Sequence, residues 1–222
     1  GTCLVGSEMC IRDSSKVPFI LDGDGNVHLY IHQDAKKEHI IDIVINSKVQ
    51  RPGVCNALET LLINSQIYQD MGSSIIEKLL ENKVELFVDE TIKEDFPNLN
   101  LANESHYETE FLDLKLAVKV VDSVDQAIEH IKVYSSGHTE AILTESNEVA
   151  DTFAKSIDSS VIFINSSTRF TDGEMFGFGS EIGISTQKLH VRGPMGLEAL
   201  TNERYVVKGD GTVRGLSLIH IS

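Results

Sequence analysis

Hydrophobic and polar positions divide the chain into short apolar runs separated by amphipathic segments. Residues 27–31, VHLYI, alternate as a short strand does. Asp34 follows as an N-cap, and Ile40, Ile41, Val44 and Ile45 then repeat at a spacing that predicts a helix through Lys48. Arg51, Pro52 and Gly53 stop that helix, because proline cannot donate the next hydrogen bond and disfavours helix in the residue before it. Residues 59–63 read as a strand, 73–82 as a helix with Ile75, Ile76, Leu79 and Leu80 on one side, and 84–88 as another strand. The polar stretch 91–109 has no period and reads as a loop.

Beyond it the pattern sharpens into strand 113–121, helix 123–134, strand 140–144, helix 147–157 and strand 161–165. Leu114, Leu116, Val118 and Val120 alternate as in a strand buried on one face. Ser123 and Gln126 form a capping box ahead of Ala127, Ile128 and Ile131. Two successive strand–helix–strand units imply parallel pairing through right-handed crossovers, so the fold class is α/β. After Asn165, glycines at 173, 177, 179, 183, 193 and 196 break up any period, which predicts a functional loop or an arm. A final strand is expected at 204–208, RYVVK.

Composition narrows the function classes. The chain has 222 residues and a formal charge of −15, and its basic residues are scattered, which argues against a sequence-nonspecific nucleic-acid binder. Its 41% hydrophobic content excludes a disordered chain, and no run approaches the roughly 18 apolar residues of a membrane helix. Cys3, Cys10 and Cys55 are an odd set without a C-x-x-C pair, which points to a reducing, cytoplasmic setting. The two ends, 1–14 and 216–222, show neither period and resemble translated sequencing-adapter sequence, so both are expected to be non-native tails.

Asp22, Asp24 and Asn26 begin like a calcium loop, but Val27 stands where glycine is required and Gln33 where glutamate is, so a turn is expected. His28 and His32 are four apart, a spacing that binds metal on a helix but not on a strand, and no metal site is expected. The phosphate-binding and serine-nucleophile glycine motifs are absent. Cys55 remains, at a helix-to-strand junction where a thiolate can attack a carbonyl and its own amide can help hold the oxyanion. The competing reading is a small buried hydrophobe.

Three separated runs bear on that choice: QRPGVCNALETLL around Cys55, the segment from Val121 to Ile142 containing S-G-H-T-E, and NSSTRFTDG followed by EIGISTQKLHVRGPMGLEAL. Together, in this order, they resemble the gamma-glutamyl phosphate reductase family of the aldehyde dehydrogenase superfamily, over essentially all of 17–214. The resemblance implies an aldehyde dehydrogenase-like catalytic domain with a C-terminal oligomerisation arm. It also implies NADPH-dependent reduction of L-glutamate 5-phosphate to L-glutamate 5-semialdehyde, in proline biosynthesis, with Cys55 as the nucleophile.

On the same basis Glu110 aligns with the glutamate that holds the nicotinamide ribose; the alternative is a solvated loop carboxylate. Thr168 and Arg169 are implied substrate contacts, although Arg169 also suits a structural ion pair. Lys188, His190 and Arg192 form a local basic cluster suited to an anionic ligand or a subunit contact. His138 lies in the S-G-H-T-E signature and reads as part of a turn. The implied layout is a catalytic (thiol) domain over 15–170 and a return segment with an oligomerisation arm over 171–215, working as a homo-oligomer. In that family a cofactor domain precedes the matching region, so the chain is expected to be a fragment without turnover. Alternatives are the reductase half of a bifunctional kinase–reductase and a non-catalytic oligomerisation module.

Overall fold

A computed structural model describes residues 16, 19–20 and 23–214. The adapter-like ends and Asp22 lie outside the described residues. Seven parallel strands form one sheet: β1 (Val27–Ile31), β2 (Leu58–Asn64), β3 (Glu85–Val88), β4 (Asn100–Leu101), β5 (Lys115–Val121), β6 (Thr139–Leu143) and β7 (Val161–Ile164). Their order is β4-β3-β5-β2-β1-β6-β7. The intervening helices are α1 (Lys37–Val49), α2 (Ser65–Glu81), α3 (Glu90–Asp95), α4 (Glu104–Glu108), α5 (Val124–Tyr134) and α6 (Asn147–Ser156). The α/β class and parallel pairing expected from the sequence are what the sheet has.

Helices cover both faces, so the central strands β1, β2 and β6 are buried throughout instead of alternating. Leu29 and Ile31 of β1 join a cluster with Ile40 and Val44 of α1 and Ile75 and Leu79 of α2. Tyr30, between them in sequence, joins the opposite cluster with Ile128 and Ile131 of α5 and Phe153 of α6. The same geometry corrects the one-faced reading of β5, where Leu116, Ala117 and Val118 are consecutively buried.

Other expectations need correction. Asp34 does not cap α1, whose N-cap is Lys36 without a side-chain bond. The Asp34 carboxylate instead accepts from Thr144 Oγ1 at 2.6 Å and pairs with His32 Nδ1 at 2.7 Å, tying β1 to the end of β6. Helix α2 begins at Ser65, ahead of the expected 73, with Asn64 Oδ1 accepting from Gln66 N at 3.0 Å. Its first turns carry Ile67, Tyr68 and Met71 on the core side, continuous with Ile75 and Ile76, a stripe that the expected boundary cut short.

The stretch 91–109 is not a plain loop. It holds most of α3, capped by Asp89, then β4 and α4 with its Asn103–His106 capping box, all too short to reveal a period. Residues 183–185 and 193–195 pair as an antiparallel hairpin, β8 and β9. Residues 204–208 form no strand and are exposed: a strand needs a hydrogen-bonding neighbour, and none of the described strands lies beside them.

Candidate active site

Cys55 and Glu110 lie just before β2 and β5, His138 just before β6, and Thr168 and Arg169 in a short helical turn after β7. Pro52 and Gly53 end the irregular run after α1, and Val54, Cys55, Asn56 and Ala57 form a tight turn closed by Ala57 N donating to Val54 O at 2.9 Å. Cys55 stands at its first corner as a partly buried thiol outside any disulfide. The chain entering β1 passes directly against it. A Cβ built on Gly25 would fall 1.6 Å from Cys55 O, so this contact admits only glycine.

Glu110 meets the same point from the segment preceding β5. Its Oε1 accepts from Gly25 N at 2.7 Å, which puts a half-buried carboxylate one residue's width from the cysteine turn. A buried ion pair holds that segment in place. Lys48 Nζ of α1 lies 2.8 Å from Glu59 Oε2 of β2, both side chains wholly buried, and Glu59 Oε1 accepts from Leu112 N at 3.2 Å. Burial pushes the Glu59 carboxyl up to about 7 against the counter-pull of Lys48, and burial lowers Lys48 against the pull of Glu59. Sequence reading missed both, since Glu59 sits in an apolar strand run and Lys48 at the end of a helix.

The third wall is the NSSTRFTDG segment. Thr168 is fully buried, and its hydroxyl donates to Asn56 O at 2.8 Å. Asn56 Nδ2 donates to Thr171 O at 2.7 Å. Thr168 therefore clamps the residue after the cysteine and turns no hydroxyl to solvent. Behind Thr171, its Oγ1 lies 2.9 Å from Thr139 Oγ1, which in turn lies 2.8 Å from the Nδ1 of fully buried His138. The S-G-H-T-E signature is thus a buttress under the cysteine turn.

Arg169 is half-buried and donates from Nε to Gln50 Oε1 at 2.8 Å. Burial lowers its pKa and the Arg51 guanidinium lowers it further, while Cys55 and Asp172 raise it, so all four groups share one electrostatic neighbourhood. Lys188 and Arg192 are not part of it. Both pair with Asp158, at 2.5 and 2.8 Å, and hold the Asp158 carboxyl below its usual range.

Among the described residues no group of three or more His, Cys, Asp and Glu side chains is placed to hold a metal, and His28 is buried in β1 against Glu140. No helix there is long and apolar enough to cross a membrane. A cavity of about 250 Å³ lined by Lys36, His39, Ile43, Leu143, Glu145 and Asn165 opens where β6 and β7 finish, at the other end of the sheet from Cys55. Open α/β sheets commonly bind ligands at that carboxyl end, but Cys55 is at the amino end.

The sheet and its helices are those of the aldehyde dehydrogenase-like proteins. An acetylating aldehyde dehydrogenase from Geobacillus thermoglucosidasius, 17% identical, superposes with a TM-score of 0.70 over 95% of this chain and 56% of its own. Within that class the chain is a homologue of the gamma-glutamyl phosphate reductases. It is 50% identical over 204 residues to the one from Thermoanaerobacter pseudethanolicus, which spans 92% of this chain and 49% of that protein. The crystal structure of the one from Thermotoga maritima matches with a TM-score of 0.89 and 45% identity, over 97% of this chain and 51% of that one. The chain therefore spans about half the length of the curated relatives it matches. No family model matches it.

Proposed function

We propose that this chain carries the nucleophile of a cytoplasmic gamma-glutamyl phosphate reductase, and that Cys55 attacks the acyl carbon of L-glutamate 5-phosphate as a step of proline biosynthesis. The observation that carries this reading is the position of Cys55. It occupies a turn corner gripped from three sides, with a carboxylate anchored through Gly25 on one flank and an arginine within its electrostatic reach on another.

In the first step the Cys55 sulfur bonds to the acyl carbon, the bond from that carbon to the phosphate oxygen breaks, and the electron pair leaves on phosphate. The Arg169 guanidinium suits the anionic substrate. Thr168, through Asn56, keeps the sulfur at a fixed height. In this assignment it acts on the substrate by positioning the cysteine turn rather than by contact.

Glu110 fits a role toward a nicotinamide cofactor, because a half-buried carboxylate held at one oxygen by Gly25 is suited to accept ribose hydroxyls. NADPH, when bound, would supply hydride to the acyl carbon. Collapse then returns the thiolate and releases the aldehyde. Phosphate is a sufficient leaving group without an activated water, so no further carboxylate base is required.

Residues 171–215 are assigned to pairing with a second copy of the chain; exposed Tyr205, Val206 and Val207 suit a strand awaiting a partner. In protein restored to the length of its relatives, Cys55→Ser should abolish NADPH oxidation with glutamate 5-phosphate. Retained oxidation would overturn the assignment of Cys55.

A further inference from the structure

The basic groups of the chain differ in what neutralises them. Lys48 is paired with Glu59 inside the protein, while Lys188 and Arg192 share Asp158. Arg51 has no such carboxylate partner among the ion pairs of the described residues. It is exposed, and it stands between Gln50, which anchors Arg169, and the Pro52–Gly53 run that leads to Cys55. The loops bearing the two arginines are also stitched together at Asn56, by Thr168 and by Thr171.

Arg169 is bonded to Gln50, the chain neighbour of Arg51, and the like charge of Arg51 opposes that of Arg169. The nearby charges that offset Arg169 are Cys55 itself and Asp172, whose Oδ1 is already taken by the amides of Glu174 and Met175. Repulsion of like charges is relieved when a multiply charged anion bridges them, and a planar guanidinium binds two phosphate oxygens at once.

We propose that Arg51 is a catalytic residue that, with Arg169, binds the phosphoryl group of an acyl phosphate beside Cys55 and so selects phosphate as the leaving group. This rests on the acyl-transfer reading above. As the sulfur–carbon bond forms and the carbon–oxygen bond breaks, the departing oxygen gains negative charge. The Arg51 guanidinium neutralises that charge until the phosphate takes a proton from solvent. A carboxylate carries only one charge and gains none in this step, so Arg51 should prefer phosphate to carboxylate.

The test follows alkylation of Cys55 by iodoacetamide in the full 222-residue chain, read by peptide mass spectrometry so that Cys3 and Cys10 are counted separately. The probes are inorganic phosphate and acetate, balanced with chloride to constant ionic strength. Phosphate should slow Cys55 alkylation several-fold and saturably, and acetate should not. Arg51→Gln should remove the phosphate effect, Arg51→Lys should keep a weaker one, and Lys155→Gln, exposed on α6 on the opposite face of the sheet, should keep it whole. The proposal is overturned if phosphate protects Arg51→Gln as well as the parent, if acetate protects equally, or if phosphate protects neither chain. A phosphate effect lost with Arg51, in a chain whose Cys55 forms no acyl thioester, would leave the anion site standing and remove the acyl-transfer reading instead.

Discussion

Gly25 shows how much of the site depends on a single missing side chain. Its amide binds Glu110 and its α-carbon rests on the Cys55 carbonyl, so one residue sets the spacing between the proposed nucleophile and the proposed ribose ligand. A methyl group there cannot be accommodated without moving backbone. Gly25→Ala should therefore lower the thermal midpoint and change the rate of Cys55 alkylation, whereas Gly53→Ala, whose Cβ would meet its nearest neighbour at 3.5 Å, should do neither. Equal behaviour of the two variants would contradict this. Cys55 was legible from the sequence because it is the lone cysteine of the body in a distinctive run. Gly25 was not, because nothing in D-G-D-G-N says which glycine another loop will touch. Arg51 read only as part of a helix stop.

At the level of elements, Lys48 and Glu59 join α1 to β2 and, through Leu112, to the segment that delivers Glu110. Removing one partner leaves the other charged and buried, which costs about 3–5 kcal/mol, whereas replacing both with apolar groups of similar size is often close to neutral. Glu59→Leu alone and Lys48→Met alone should each shift urea unfolding markedly, and the double variant should recover most of the loss. Additive losses would sink this account of the pair. The sequence pattern located most strands and α1, α5 and α6 to within a few residues, since buried strands and amphipathic helices of ordinary length carry a clear period. It could not reveal α3, α4, β8 or β9, which are too short to repeat their period. Nor could it reveal that residues 204–208 lack a strand neighbour here.

Across the whole molecule, stability should depend on pH through His130, which is packed among His28, Tyr107 and Tyr134 with Lys119 near by. Burial, reinforced by the charges of His28 and Lys119, brings its pKa from 6.5 to about 3, so the folded chain keeps it neutral. Between those values the unfolded chain binds the extra proton. Folding stability from this group is thus complete above 6.5 and falls as pH drops, by about 1.4 kcal/mol per pH unit. Glu59 contributes the opposite slope, between 4.5 and about 7. It is common to the parent and a His130→Phe variant, so their difference isolates the histidine. The gap between urea midpoints at pH 7.5 and pH 5 should be more unfavourable to acid in the parent than in His130→Phe; an identical gap would contradict the assignment.

The central claim, that Cys55 accepts an acyl group from an acyl phosphate, needs neither cofactor nor turnover to be tested. The full chain incubated with glutamate 5-phosphate or acetyl phosphate, then read by intact and peptide mass spectrometry, should carry the acyl mass on Cys55, release phosphate in step with it and lose the adduct to hydroxylamine. A folded chain that leaves Cys55 unmodified, or that takes the acyl group equally well as Cys55→Ser, would contradict the account.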